Sequence, residues 1–494
     1  MKKIICMVLA LMLTISLAAG MIGCGGKQLD ETEDPINVNL PTDYKGSLTI
    51  ATNTAFYNDI EKVKVEFNKK YPNITVTVKP QPDQDKSILQ WYNGDRVKPG
   101  TSPDLFWFTT LDWLPLAEGG ILKDLSAAMD AADEAGTLDL DDMKEDIMVL
   151  GREGFTAEGS QYMFPTTYDQ FVTYINTEIF KHAGIEIGNR GTDEMTFTYT
   201  PLGDSAPKTI KAQEWTWEQF EEIALLIKEY YTDNQLFNGV APVTAHLESE
   251  ALISGVLGSF DVDILGDNGE ILIEEGEERE ALIEGLDFMH DMVEKGYTAY
   301  VAPGAMGQGT IAMHFQSRAG MIVPEEPTEG VEYPDSGYFC DDMLDVVPFP
   351  AIGDNPKFGG GSHGYAMYRY TRHQDEAWAF LQFMLSQEGQ DVLGDSGLQV
   401  PILKSMDEPK TDGENWNWLT KPTAQMNHAA FISYPERMYP TIFQMVLPTE
   451  IQTNVFKAYV AMAQTTTQSN GSESAYNSAI NSFINLIEAE KQKV

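Results

Sequence analysis

Polar and aromatic side chains cluster at the ends of two predicted β-strands of this chain. A carbohydrate presents hydroxyl groups, which need hydrogen-bond partners once they are buried. It also presents C–H faces, which pack well on rigid aromatic rings. These residue types therefore suit a site that binds a polyhydroxylated solute. The candidates after the first strand are Asn53, Thr54 and Tyr57, and those at the end of the later strand are Phe108, Thr110, Asp112 and Trp113.

Each of these candidates also has a purely structural interpretation. Asn53, Thr110 and Asp112 are residue types that cap helices, and Phe108 and Trp113 are large apolar residues of the kind that fill cores. The residue types alone do not choose between binding and structure.

Two motifs suggest catalysis or metal binding, and their flanking residues argue against both. Gly360-Gly-Ser-His-Gly364 fits the G-x-S-x-G pattern of a hydrolase nucleophile, but a strand is predicted at 365–370 where that motif needs a helix. The acidic run from Asp261 would need an acid at the twelfth position of a calcium loop, where Leu272 stands; a turn at 267–269 is the better prediction. We predict no catalytic residue, metal or cofactor.

Composition restricts the partners further. The 494 residues include 75 acidic and 33 basic ones, for a formal net charge of -42. Nucleic-acid binding would need basic clusters, and none is present. The three cysteines argue against a disulfide framework. A structural or adhesive surface protein would often show internal repeats, and none is found.

Alternating strands and helices must position the candidate residues. Strands are predicted at 47–51 and 74–78, with a helix at 58–71 between them, which forms a parallel βαβ unit. The uninterrupted apolar run at 103–108 predicts a strand covered on both faces. Ligands of such sheets bind beyond the carboxyl ends of the strands, which is where the first candidates stand.

The order of these elements resembles the family 1 extracellular solute-binding proteins, to which maltose-binding protein belongs. Five regions of the chain match the family pattern in the correct order, and together they cover most of 47–403. The matching segments are SLTIATNTAFYNDIEKVKVEFNKKYPNITVTV with SPDLFWFTTLDWLPLAEGGILKDL, then YMFPTTYDQFVTYINTEIFKHAGI, WTWEQFEEIALLIKE, GTIAMHFQSRAG, and DVVPFPAIGDNPKFGGGSHGYAMYRYTRHQDEAWAFLQFMLSQEGQDVL.

The resemblance implies an α/β protein of the two-lobed, type II periplasmic-binding-protein fold with a hinge between the lobes. It implies the substrate-binding subunit of an ABC importer, which captures a carbohydrate, an oligosaccharide by preference, in the cleft and delivers it to the permease subunits. Such a protein is not an enzyme, and we expect a monomer. The alternatives are a surface-anchored carbohydrate-active enzyme and a binding protein for another polar solute.

A second group of candidates follows from the crossing strands and the later segments. Asp169 stands where similar sugar binders place an acidic residue, whereas Arg318 stands close to the place of a stacking tryptophan of maltose-binding protein, which is absent here. The full group is Tyr168, Asp169, His246, Glu248, Arg318, Gly361, Ser362, His363 and Trp416.

These later candidates also have structural interpretations. Tyr168 and Asp169 could brace the hinge, His246 and Glu248 could cap a solvated helix, and Arg318 could form a salt bridge. The glycine-rich run could be a plain tight turn, and Trp416 could simply cover lobe two.

We place the chain crossings between lobes at 165–169 and 346–350. Lobe one is then 44–165 with 349–401, and lobe two is 166–348 with 402–494. Two insertions, at 188–212 and 323–342, depart from the family pattern. Each could form a rim over the cleft or decorate the surface.

The first 43 residues predict export and anchoring. Lys2 and Lys3 precede an apolar run at 4–22, which is typical of a signal peptide. The Gly23-Cys24 pair resembles the processing site of bacterial lipoproteins, which implies removal of 1–23 and lipidation, with palmitate, at Cys24; an uncleaved membrane anchor is the alternative. The polar segment 24–43 predicts a flexible tether. We expect a lipid-anchored protein on the extracellular face of a Gram-positive cell membrane, or in the periplasm of a Gram-negative cell.

Overall fold

The computed structural model describes residues 34–81, 102–109, 112–234, 241–244, 250–266, 269–298, 311–318, 343–420, 426–439, 447 and 449–493. The described strands are β1 Gly46–Thr52, β2 Ile74–Pro80, β3 Leu105–Thr109, β4 Met163–Gln170, β5 Val172–Asn176, β6 Glu186–Gly188, β7 Thr196–Tyr199, β8 Lys208–Lys211, β9 Ala241–Thr244, β10 Ile311–Gln316, β11 Leu344–Pro348, β12 Phe358–Met367 and β13 Met438–Tyr439. The described α-helices are α1 Tyr57–Lys70, α2 Leu114–Glu118, α3 Ser126–Glu134, α4 Glu145–Met148, α5 Thr177–His182, α6 Trp217–Asn234, α7 Glu250–Gly258, α8 Glu277–Glu294, α9 Gln374–Met384, α10 Gln387–Leu393, α11 Asn417–Thr420, α12 Thr449–Thr467 and α13 Glu473–Lys491.

The first sheet has the order β13-β12-β3-β1-β2, and β4 pairs with β12. Strands β1 and β2 are parallel, in register from Gly46 opposite Ile74, so the predicted βαβ unit is confirmed. Helix α1 connects them and buries Ile60, Val63 and Phe67. These apolar residues recur at helical spacing, which gives the helix one face for the sheet.

The second sheet has the order β11-β5-β10-β9. Strand β5 is antiparallel to both β10 and β11, while β9 runs parallel to β10. A separate hydrophobic cluster, which includes Trp217, Phe220 and Phe315, fills this part of the molecule. The two sheets with their helices form the two lobes of the predicted α/β fold. Among the described residues, no helix combines the length and the apolar character that crossing a membrane requires.

The chain passes between the sheets later than the sequence predicted. Strand β4 stays paired with β12 as far as Gln170, which lies opposite Gly360, and the second sheet begins at Val172. The first crossing therefore comes at Phe171 rather than at 165–169, because backbone pairing holds 166–170 in the first sheet. The return follows the end of β11 at Pro348.

Part of the C-terminal region also departs from the expected division. Apolar residues from Ile402 to Phe431 belong to a hydrophobic cluster that reaches both sheets, since it includes Ile50 of β1 as well as Tyr174 of β5 and Val346 of β11. Those from Leu447 to Ile487 belong to the cluster of the second sheet. The region 402–494, which we expected in lobe two, is thus shared between the two clusters.

The insertion at 188–212 is folded into the second lobe. It contributes most of a three-stranded antiparallel sheet of order β6-β7-β8. Phe197, Tyr199 and Ile210 are buried in the second hydrophobic cluster. This insertion is therefore part of a core and not surface decoration. The insertion at 323–342 lies outside the described residues.

Candidate ligand-binding site

Four strands of the first sheet present candidate residues at the same edge. Strand β3 is parallel to β1, while β12 is antiparallel to both β3 and β4. The carboxyl ends of β1, β3 and β4 and the amino end of β12 therefore meet at one edge of the sheet. His363 lies opposite Thr109 and Gly361 lies opposite Asp169. We call this the binding edge; it brings together Asn53, Thr54, Tyr57, Asp112, Asp169, Gly361, Ser362 and His363.

The second sheet meets this edge at the crossing. Gln316, the last residue of β10, pairs with Val172, the first residue of β5. Arg318 follows two residues later, and its backbone N–H donates to Oδ1 of Asp169 over 2.9 Å. The end of β10 is therefore bound directly to the end of β4. Three predicted site residues, Thr110, His246 and Glu248, lie outside the described residues.

An aromatic cluster of Phe56, Trp107 and His363 lies at the binding edge. The Phe56 and His363 rings have centroids 4.3 Å apart, and Trp107 is 5.5 Å from His363. The indole Nε1–H of Trp107 donates to Nδ1 of His363 over 3.2 Å. Sequence reasoning missed Phe56 and Trp107. Phe56 stands beside the candidate Tyr57, between the predicted strand at 47–51 and the predicted helix at 58–71, which was a usable signal. Trp107 lies within a continuous apolar strand that has no alternation to mark it.

His363 is electrically neutral in this environment. Burial lowers the pKa of its imidazole to about 3. Since an indole nitrogen can only donate, Nδ1 of His363 must be an acceptor and the ring proton must be on Nε2. His363 thus carries a hydrogen-bond donor without a charge.

The residues after β1 form a short ordered turn. Oδ1 of Asn53 accepts from the backbone N–H of Ala55 over 2.9 Å, so Asn53 is the N-cap that its structural interpretation predicted. Thr54 donates its hydroxyl to the carbonyl of Gln81 over 3.4 Å. Tyr57 is half-buried and opens α1. The capping bond fixes the turn that carries Phe56 to His363.

Asp112 and Asp169 provide carboxylates at this edge. Oδ2 of Asp112 accepts from the Thr109 hydroxyl over 2.7 Å, and burial raises the pKa of the Asp112 carboxyl. Asp169 is half-buried. Both side chains can accept hydroxyl protons.

Phe108, Trp113 and Tyr168 lie in the core instead of at the binding surface. Phe108 and Trp113 are fully buried, and the Trp113 indole donates to the carbonyl of Leu150. Tyr168 is 1% exposed, and Lys144 lies over its ring. Strand alternation directs Tyr168 to the face opposite Asp169. A side chain without accessible surface cannot contact a solute in this conformation, so we leave these three out of the proposed site.

Arg318 is enclosed by protein and does not present its guanidinium to a solute. Its side chain is fully buried, with Nε donating to the Gly397 carbonyl over 2.6 Å and Nη2 to the Trp418 carbonyl over 2.7 Å. The guanidinium also lies over the Phe431 ring, 4.7 Å from its centroid. Desolvation lowers the pKa of Arg318 to about 10, which leaves it cationic at neutral pH. Arg318, predicted as a site residue, thus has a structural role at the crossing.

The glycine-rich run is a strand and not the turn that the sequence predicted. Gly360 to Gly364 lie within β12, which pairs with β3 on one side and β4 on the other. A Cβ on Gly360 would come within 2.7 Å of the Asp169 carbonyl, and one on Gly364 would overlap the Phe164 carbonyl. The close approach that these glycines permit is therefore to β4. Ser362 is buried in this strand.

Trp416 is used in packing. Its ring is 9% exposed and belongs to the first hydrophobic cluster. The indole donates to the carbonyl of Glu408 over 2.9 Å, and Nζ of Lys410 lies 4.7 Å from the ring centroid. These contacts do not group Trp416 with the binding edge; they hold it in the hydrophobic cluster that reaches both sheets.

Comparison with known proteins supports this architecture. Residues 48–391 match the family of bacterial extracellular solute-binding proteins, and no curated protein sequence matches the chain. Similar solved structures include the ABC substrate-binding protein Lmo0181 of Listeria monocytogenes in complex with cycloalternan, with 17% identity, a TM-score of 0.61 and coverage of 90% of this chain and 99% of that one. The maltose-bound MalE of the same organism has 15% identity and a TM-score of 0.59, covering 91% and 98% of the two chains.

A third similar structure holds a different ligand. UgpB of Mycobacterium tuberculosis, in complex with glycerophosphocholine, has 14% identity and a TM-score of 0.61, and covers 91% of this chain and 99% of that one. At these identities the likeness establishes the two-lobed fold.

Proposed function

Since the chain belongs to the family of bacterial extracellular solute-binding proteins, we propose that it is the substrate-binding subunit of an ABC importer for a carbohydrate. The observation that carries the proposal is the pair of partly exposed rings Phe56 and His363, backed by the buried Trp107, at the same edge as Asp112 and Asp169. Rings for C–H faces and acceptors for hydroxyl protons are the two requirements of sugar recognition.

Capture and release depend on movement between the lobes. The crossing strands let the two halves close on a solute as a hinge. A closed state gains free energy only from contacts that the open state lacks. Because the binding edge belongs to the first sheet and the end of β10 to the second, a solute between them contacts both lobes and favours closure. The permease can then recognise the closed shape.

Two of the similar structures support an oligosaccharide as the solute. Lmo0181 holds cycloalternan and the Listeria MalE holds maltose. UgpB, which holds glycerophosphocholine, favours a second candidate function, the binding of another polar solute. Neither function requires a reaction, and we propose that the protein turns over no substrate.

A ligand screen on the purified chain tests the proposal. A solute at 100 times its Kd raises stability by about 2.7 kcal/mol, so thermal shifts with neutral oligosaccharides will show binding, and calorimetry will give affinities. We expect Phe56→Ala to weaken binding about tenfold or more, through lost ring contact. Val65→Ala, on the exposed outer face of α1, is the matched control and should bind normally.

The results distinguish the alternatives. Chromatography of the solute after long incubation should return it unchanged; the appearance of cleavage products would instead identify an enzyme. Saturable binding of a non-sugar solute, with no response to any carbohydrate, would replace the sugar function by the second candidate.

We also propose that the mature protein is anchored through a lipid on Cys24, which lies outside the described residues. The support is the signal-like segment 1–23 followed by cysteine. Expression in a lipoprotein-processing host should place the protein in the membrane fraction with an acylated N-terminal peptide by mass spectrometry. Cys24→Ser should abolish acylation; an acyl-free wild-type peptide would refute the anchor.

A further inference from the structure

We infer that Trp107 positions His363 as a neutral Nε2–H donor, and that the binding edge therefore selects an uncharged solute over an anionic one. This inference rests on the proposed solute-binding function. It identifies Trp107 as a positioning residue, gives the tautomer of His363 and specifies the charge of the solute.

The tautomer follows from the indole contact. Trp107 is 2% exposed, and its Nε1–H lies 3.2 Å from Nδ1 of His363. If His363 carried its proton on Nδ1, two N–H groups would face each other and this bond would be lost. The buried indole would then have no acceptor there, which is unfavourable. The donor on Trp107 thus dictates which imidazole nitrogen keeps the proton.

Neighbouring contacts hold the imidazole in one orientation. The Phe56 ring lies against it, with the centroids 4.3 Å apart and the planes inclined by 31°. The backbone of His363 pairs with Thr109, and its carbonyl accepts from the Thr166 hydroxyl over 3.3 Å. The ring is thus bonded on its Nδ1 side and covered by Phe56.

The Nε2 side is the one left for a solute. His363 is partly exposed. Within the described part of the chain, its ring bonds only through Nδ1 to Trp107. Because the residue keeps some exposed surface, a donor held in this orientation can bond an acceptor oxygen of a hydroxyl or of a ring ether.

The charges around this donor disfavour an anion. A protonated His363 would have to break the Trp107 bond, and burial holds its pKa near 3. The binding edge carries the carboxylates of Asp112 and Asp169. The guanidinium of Arg318 is turned into the protein, onto backbone carbonyls. The binding edge, as far as its residues are described, contains no lysine or arginine that would replace the lost hydration of a buried anion.

Nitrogen-15 NMR of histidine-labelled full-length protein tests the tautomer. The chain has seven histidines, and His363→Gln identifies the signal by its disappearance. We expect a protonated Nε2 and an unprotonated Nδ1, unchanged between pH 8 and pH 5. In Trp107→Phe the signal should change to mixed tautomers and titrate nearer to the ordinary histidine pKa of about 6.5.

Trp378→Phe is the matched control for loss of a buried indole. Trp378 is fully buried in the same lobe, and its Nε1 has no hydrogen-bond partner among the described residues. This variant should leave the His363 signal unchanged. A wild-type signal with the proton on Nδ1, or a Trp107→Phe signal identical to wild type, would overturn the inference.

Calorimetry tests the charge selection. The probes are maltose, maltotetraose, a phosphorylated sugar and glycerophosphocholine. We expect the neutral sugars to bind at least tenfold more tightly than either phosphate-bearing solute. His363→Gln, which still offers an uncharged N–H, should weaken binding less than His363→Phe, which removes the donor.

The possible failures are separable. Binding of a phosphate-bearing solute in preference to the neutral sugars would refute the charge selection and leave the solute-binding function intact. If none of the probes binds while the NMR tautomer is as expected, the carbohydrate function fails and the positioning of His363 by Trp107 stands.

Discussion

The backbone amide of Arg318 lies 2.9 Å from Oδ1 of Asp169. This bond links the carboxyl end of β4 in the first sheet to the residue that follows β10 in the second. Since its carboxylate also stands at the binding edge, the proposed function gives Asp169 a second role, in binding the solute. Substitutions at Asp169 can separate the effect of its negative charge from the effect of its hydrogen-bond acceptor.

Asp169→Ala should lower both the stability of the fold at the crossing and the affinity for the solute. It leaves the Arg318 amide without this acceptor, which costs about 1–3 kcal/mol where the group is buried. Asp169→Asn keeps an amide oxygen and should retain most of the stability while binding a sugar less tightly. Urea unfolding and calorimetry of both variants measure the two effects. Equal stability losses in the two variants would contradict an acceptor role.

Arg318→Lys should be destabilising although it preserves the charge. The guanidinium bonds the carbonyls of Gly397 and Trp418 with separate nitrogens, and a lysine ammonium cannot reproduce this planar fork. We expect a loss of about 2–3 kcal/mol in the free energy of unfolding. Arg437→Lys, at a half-buried position, is the control, with an expected change below about 0.5 kcal/mol. A fully stable Arg318→Lys would show that the fork is not needed.

Asp59 should make stability depend on pH in an unusual direction. Burial raises the pKa of this carboxyl to about 6, although Gln399 donates to it over 3.0 Å. Because the folded-state pKa exceeds the unfolded value of about 3.9, the folded protein holds the proton of Asp59 more tightly than the unfolded chain does. The stability that this proton contributes is fully present below the unfolded pKa. It is lost as the pH rises through about 6.

Asp59→Asn, which is always neutral, should therefore be more stable than wild type at pH 7, by about 2–3 kcal/mol. The difference should shrink to near zero below about pH 4. Urea unfolding of both proteins from pH 4 to pH 8 measures it. Asp130→Asn, at an exposed position of α3, should show no such dependence. A difference that stays constant across this pH range would exclude Asp59 as the source.

Lys144 should contribute far more to stability than a surface lysine. Its side chain is 5% exposed and lies 2.7 Å from Oδ1 of Asp407, and it also donates to the carbonyl of Pro401. Lys144→Met should cost about 3 kcal/mol or more, since removing one partner leaves buried polar groups unpaired. Lys62→Met breaks the ion pair between Lys62 and Asp395, whose side chains are 49% and 32% exposed respectively. This variant should lose less than about 1 kcal/mol in the free energy of unfolding. Similar losses in denaturant unfolding would contradict this distinction.

Local patterns were enough to predict part of this fold. The apolar spacing of Ile60, Val63 and Phe67 predicted α1, and the strand on each side predicted the parallel pairing of β1 with β2. Both predictions depend on residues within one continuous stretch of the chain, from Gly46 to Pro80. Asp169 became a candidate because the family pattern places an acidic residue there, and the structure sets it near the end of β4 opposite Gly361.

Long-range contacts decided what the sequence left open. Phe108, Trp113 and Arg318 are residue types that suit a binding site, yet packing against distant segments buries all three. The glycine run at 360–364 has turn composition, but β3 and β4 on its two sides make it a strand.

The sequence by itself determined the alternation of strands and helices, the family pattern and the set of polar and aromatic candidates at strand ends, because these depend on residues close together in the chain. Only the tertiary structure decided which candidates stay accessible and that Trp107 meets His363. Those two residues are brought together by pairing β3 with β12, a contact between distant parts of the chain that local propensity does not encode.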